Sequence, residues 1–170
     1  MKDKKLYYSL YLKAHNNAVD LLSEAEMLLK AHHYARSYFL AFTALEELSK
    51  SQAAADVYTG LLDTDNFLKI YTFHDKKMDR IQWATLDANE YPNNIHPETG
   101  KIFHVTKPKL KKRENSLYTS INLQAVKTPK ESISRSDVEE MIHTVNIAMH
   151  QIMLMTEYYG HQIGTKGFMK

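Results

Sequence analysis

Along the start of the chain, apolar residues recur at steps of three and four: Leu6, Leu10, Ala14, Ala18, Leu21, Ala25 and Leu28. That period places them on one face of a helix predicted from about Asp3 to Lys30. His32 and His33 interrupt the pattern, and a second helix is predicted from Tyr34 to roughly Gly60, where glycine is a natural terminator. Between Tyr38 and Leu48 this helix is apolar nearly all round, which assigns it to the centre of a core. Thr64 or Asp65 can cap a third helix carrying Phe67, Ile70, Phe73, Ile81 and Trp83. Ser134 with Asp137 three residues later resembles a capping box for a last helix. Its apolar stripe is Val138, Met141, Ile142, Val145, Met149, Ile152 and Tyr159.

Between about Asn89 and Ser134 the periodicity collapses. This stretch holds all four prolines (Pro92, Pro97, Pro108 and Pro129), and Ser116 to Leu123 reads as extended. A structureless loop of that length is unusual inside a compact domain, so a functional insertion with some order of its own is expected. The expected architecture is a single domain over residues 1–170. It is all-α, a bundle of four main helices with a long, partly ordered insertion at about 89–134 before the last helix.

Composition narrows the functional classes. Among 170 residues, Lys+Arg number 22 and Asp+Glu 20, a net charge of +2, so nucleic acid cannot be held by global charge and needs a local patch. The one candidate patch is Lys107, Lys109, Lys111, Lys112 and Arg113, with Tyr118 as a nearby ring for stacking; the alternative is a solvated basic loop. The absence of cysteine removes disulfides, thiolate catalysis and cysteine zinc sites, and fits a cytoplasmic protein. No membrane segment is expected: the purest apolar stretch, Phe39 to Leu45, already contains Thr43, and Lys13 and His15 interrupt the apolar start too early for a signal peptide. Nine histidines raise the question of metal. His143 and His150, however, lie two helical turns apart, about 10 Å, whereas zinc ligands sit about 2 Å from the ion. Neither Glu139 with His143 nor Glu157 with His161 makes a site alone, so no metal and no cofactor are expected. Met141, Met149, Met153 and Met155 on the last helix read as core or as a dimer seam.

The sharpest anomaly is charge set against the apolar run of the second helix. Arg36, Thr43 and Lys50 are seven apart and share a stripe, with Glu47 beside it and Glu46 on the adjoining face. The simplest expectation is a Glu46–Lys50 pair at i,i+4. On the third helix His74 and Lys77, with Lys76 between, can face one partner. Histidine exchanges a proton near neutral pH, and lysine stabilises developing phosphate charge. Two readings stand side by side. Glu46, Glu47, Lys50, His74 and Lys77, with Arg36, form either a buried polar network that sets helix register or a catalytic set.

Several short segments, in order, carry a family resemblance: Glu24-Ala25-Glu26 with Leu28-Leu29, Tyr34-Ala35-Arg36-Ser37, Ala44-Leu45-Glu46-Glu47-Leu48-Ser49-Lys50, and Phe73-His74-Asp75-Lys76-Lys77. With Arg113-Glu114-Asn115-Ser116-Leu117-Tyr118 and Thr128-Pro129, they resemble AbiV-type abortive-infection proteins from about Ala14 to Met141. Ser49 stands where that family commonly has glycine. The resemblance implies a HEPN-like helical bundle, a homodimer, and a role in halting phage propagation through a phage or toxin-system protein partner or through RNA. Many HEPN proteins are metal-independent ribonucleases with an Arg-x(4–6)-His motif. Here no histidine stands at that distance after Arg36, Arg80, Arg113 or Arg135. Three activities follow as expectations: growth or translation arrest by interaction or through RNA, a metal-independent endoribonuclease with a Glu/Lys/His site, and a non-catalytic helical adaptor.

Overall fold

A computed structural model describes residues 2–78, 110–121 and 125–158. Helix α1 (Lys2–Lys30) and helix α2 (Tyr34–Thr59) form an antiparallel pair with the most extensive contact among the described elements. The line of contact on α1 is Tyr11, Ala14, Ala18, Leu22 and Ala25. Three of these are alanines, which let the two backbones approach closely. Leu6, expected on the same face, is 65% exposed. Three successive steps of four residues from Leu6 to Ala18 accumulate about 120° of rotation, enough to carry Leu6 off the contact line.

The turn between the helices is built from their own backbone. The N–H of His33 donates to the carbonyl of Leu28 at 2.9 Å and that of His32 to Leu29 at 3.0 Å. This is the paired closure that satisfies the last carbonyls of a helix. His32 takes the left-handed conformation the motif requires (φ 60°), and its Nδ1 lies 2.9 Å from the Tyr34 hydroxyl. Helix α2 ends as expected at Gly60, whose φ of 84° suits a residue without Cβ.

Helix α2 is buried on nearly every side: Ala35, Tyr38, Ala41, Phe42, Ala44, Leu45, Leu48 and Ala53 to Ala55 all lie inside. Its N-terminal half centres the main core, with Ala18, Leu22 and Ala25 of α1, Met78, and the last helix. Its C-terminal half forms a second core with Tyr11, Phe67 and Ile70. Buried serines tie α1 to α2: Ser37 Oγ donates to the Ala25 carbonyl at 2.6 Å, and Ser51 Oγ to that of Tyr11 at 2.9 Å.

Helix α3 (Thr64–Thr72) is capped by Asp63, one residue before the expected caps, because its carboxylate accepts the Asn66 N–H at 2.8 Å. The third helix does not run on through Phe73. Phe73 is extended, and a separate helical segment occupies residues 74–78. Ile81 and Trp83 lie outside the described residues.

Of the expected insertion, residues 89–109 and 122–124 lie outside the described residues; of the remainder, Ser116 and Ile133 are buried while Tyr118, Ile121 and Val126 are exposed. Helix α4 (Leu110–Leu117) rests on α2, a short antiparallel ladder pairs Ser120 with Lys127 and Ile121 with Val126, and α5 (Pro129–Ser132) follows. Ser116 and Leu117, expected to be extended, close α4. The run Leu110-Lys111-Lys112-Arg113-Glu114 consists of good helix formers, and Lys112 and Arg113 find partners on other helices. Thr128 and Glu131 form a capping box at α5, and Ile133 plugs the core.

Helix α6 (Arg135–Tyr158) begins with the expected reciprocal cap: the Ser134 N–H donates to Asp137 Oδ2 at 2.9 Å and the Asp137 N–H to Ser134 Oγ at 3.3 Å. Val138, Met141, Ile142, Val145 and Ala148 face the main core, and Met149 packs at its edge. The side chains of Ile152, Met153, Met155, Glu157 and Tyr159 lie outside the described residues. The fold is an all-α bundle, and no helix among the described residues is long and apolar enough to cross a membrane.

Candidate functional site

Three segments distant in sequence meet at one carboxylate. Glu46 follows the apolar run of α2 and is only 4% exposed. A buried carboxylate is costly unless paired and hydrogen-bonded. Its Oε1 is paired with Nδ1 of His74 from the 74–78 segment, and Arg113 of α4 brings Nη2 to 3.7 Å from Oε2. The expected Glu46–Lys50 pair does not form. Lys50 pairs instead with Glu47, three residues back on α2. One residue of helix is about 100° of rotation, so Glu46 turns toward the core and Glu47 toward the rim.

The 74–78 segment is locked to α2 by Ser49, whose Oγ donates to the Lys77 carbonyl at 3.1 Å. This hydrogen bond gives Ser49 a structural role: it fixes the depth at which Lys77 and Met78 enter the core. Lys77 is almost fully buried. Burial holds its ammonium below the ordinary lysine range; Glu46 and Glu47 pull the other way, and Lys50 and Arg113 add to the depression. Because the unfolded chain binds that proton more tightly, stability rises with pH from the depressed folded value up to about 10.4, the free lysine value. Lys77→Met is therefore expected to be more stable than wild type at neutral pH. The difference should shrink as pH climbs toward that value, as read from urea midpoints at several pH values.

Arg113, assigned from sequence to a nucleic-acid patch, belongs to this cluster. Its guanidinium lies 5.2 Å from the Phe39 ring centroid and 5.8 Å from that of Phe42, and its Nε is buried without a hydrogen-bond partner among the described residues. A cation within reach of two rings and of a buried carboxylate at once suits the broad, delocalised guanidinium better than a lysine ammonium. No spacing rule marks this residue; its one sequence signal is its place in the distal segment of the resemblance.

The other expected residues fall as follows. Arg36 is exposed and lies ten residues up α2 from Glu46, about 15 Å along the axis, outside the cluster. Lys112 pairs with Asp137 of α6 at 2.5 Å and lies over Tyr38, whose phenol is pushed well above its usual range by burial and by the carboxylates of Asp137 and Glu140. Lys111 is exposed beside Glu114 at 3.6 Å, and Tyr118 is 64% exposed. Lys107 and Lys109 lie outside the described residues. Of the basic run, two members are thus committed to internal pairs. No group of three potential metal ligands occurs among the described residues.

Chemically, the cluster has a sealed side and an open side. Glu46 and Lys77 are buried, whereas the His74 side chain is 47% exposed and the Glu47–Lys50 pair lies at the rim. A carboxylate holding Nδ1 sets the ring's orientation and leaves Nε2 as the second proton-carrying position. No curated protein and no solved structure matches the chain. Residues 7–150, which include every member of the cluster, match the HEPN family model described as AbiV. The chain accordingly belongs to the AbiV family of HEPN proteins, a family that points to abortive infection and phage defence.

Proposed function

We propose that this protein arrests growth or translation in the phage-infected cell as a cytoplasmic homodimer, acting on RNA at the surface centred on His74. The observation that carries the reading is the half-exposed imidazole fixed by a buried carboxylate, with Lys50 at the same rim. Such a ring offers hydrogen bonds to RNA, and the lysine offers charge to a phosphate. Met141 and Met149 of α6 are taken up by the main core, so the dimer rests on the family resemblance and not on a methionine seam. Light scattering at micromolar concentration should give twice the mass of the chain.

The same geometry supports a second reading, a metal-independent endoribonuclease. RNA cleavage without metal needs a base for the 2′-hydroxyl, cations for the phosphate and an acid for the leaving oxygen. His74 Nε2 serves as proton carrier and Lys50 as the cation, while Glu46 and Arg113 position the ring. Labelled RNA incubated with purified protein in EDTA separates the two. Cleavage by wild type that falls about 100-fold or more in His74→Ala establishes the enzyme. RNA binding and phage-induced arrest that need His74, without cleavage, establish arrest by binding. Arrest that survives His74→Ala removes His74 from the function, and a phage or toxin-system protein partner then becomes the reading to pursue.

A further inference from the structure

Next to the cluster stands an aromatic edge that the site chemistry leaves unused. Tyr71 and Phe73, the residues leading into His74, are 46% and 55% exposed. Neither joins the second core, whose Phe67 and Ile70 come from the inner face of the same helix. Tyr71 is nevertheless not a loose side chain. Its ring packs on Phe67 at 5.8 Å between centroids, and Phe67 is held edge-on by Tyr7 at 5.1 Å. Lys50 Nζ lies 5.6 Å from the Tyr71 centroid while paired with Glu47. A half-exposed ring is therefore seated on an aromatic cluster, with Lys50 over it, and is followed in sequence by Phe73 and His74.

We propose that Tyr71 and Phe73 form a base-stacking platform for single-stranded RNA, with Lys50 placed for the adjoining phosphate. The inference rests on the reading that the protein acts on RNA at the His74 surface, and it names the strand type that surface takes. Unpaired bases stack on aromatic side chains with little regard to sequence, whereas a duplex keeps its bases stacked on one another. The pairing of a ring with a cation matches the pairing of a base with its phosphate. A protein partner would need apolar area at this edge but not a ring.

The test is fluorescence anisotropy with the full chain and a labelled single-stranded RNA of about 12 nucleotides. Wild type should bind this strand more tightly than a duplex of the same sequence. Tyr71→Ala and Phe73→Ala should each weaken binding about 10-fold, Tyr71→Leu should behave like Tyr71→Ala, and Tyr71→Phe should stay within about twofold of wild type. Phe73→Ala should melt with wild type, whereas Tyr71→Ala gives up its packing on Phe67; a thermal melt accompanies each titration, which is run where every variant is folded. If wild type binds RNA while the alanine variants bind equally well, or Tyr71→Leu binds as well as Tyr71→Phe, the platform is overturned and the RNA reading stands. Preference for the duplex overturns the platform in the same way. If wild type binds neither RNA, the RNA reading itself fails and takes the platform with it.

Discussion

Replacing Glu46 by alanine should destabilise the protein by about 3–4 kcal/mol, the lower part of the range for breaking a buried ion pair. The loss comes from what remains: Lys77 buried with one fewer opposing carboxylate, Arg113 held near Phe39 and Phe42 without its counter-charge, and His74 without its acceptor. The cost stays below the top of the range because the exposed side of His74 and the partly exposed Arg113 can regain water. Glu46→Gln, which keeps a hydrogen-bond acceptor but removes the charge, should cost about 1–2 kcal/mol. His74→Ala, which leaves the buried Glu46 carboxylate to Arg113 and to water entering at the rim, should cost about 1–2 kcal/mol. Urea unfolding of the three variants gives the order directly. A Glu46→Ala protein as stable as wild type, or more so, would mean that the carboxylate is retained for activity rather than for register.

Phe42→Ala should cost about 3–5 kcal/mol, the usual range for deleting a fully buried phenylalanine. Phe42 has no exposed surface, lies in the main core beside Tyr38, and is one of the two rings near the Arg113 guanidinium. For a domain of this size that is a fall in Tm of about 2–4 °C per kcal/mol. Phe42→Leu, which keeps most of the volume, should cost about 1.5 kcal/mol or less. The alanine variant has a second consequence. With one of its two rings gone, Arg113 is held less firmly against Glu46, so the two substitutions should be non-additive. A Phe42→Ala/Glu46→Ala double-mutant cycle should show a coupling of about 0.5 kcal/mol or more. Strict additivity would show that core and cluster are independent.

These effects mark where the fold and the site part company in legibility. The helices are local matters. A period of three to four residues, a glycine at position 60 and a Ser134/Asp137 box each act within a few residues of chain, so α1, α2 and α6 fall where the sequence predicts. The central place of α2 is equally local, since a helix apolar nearly all round has nowhere to lie but inside. Errors arise where a local rule meets a competing one. Leu6 satisfies the spacing but rotates out of contact, and the third helix keeps its apolar period through Phe73 while its backbone breaks there.

The sequence by itself determined the helical class, the family, and the presence of charged residues beside an apolar run. Only the tertiary structure decided how those charges pair. Glu46 and Glu47 are neighbours in sequence, yet one ends beneath His74 and Arg113 and the other at the rim with Lys50. That division depends on the break at Phe73, on the depth set by Ser49, and on α4 folding back across α2. The same docking removes Arg113 and Lys112 from the basic run and spends them on Glu46 and Asp137. The physical reason is one of range. Helix formation is governed by contacts within a turn or two. A buried charge instead takes whichever partner the packing of distant segments delivers, and desolvation makes that choice binding.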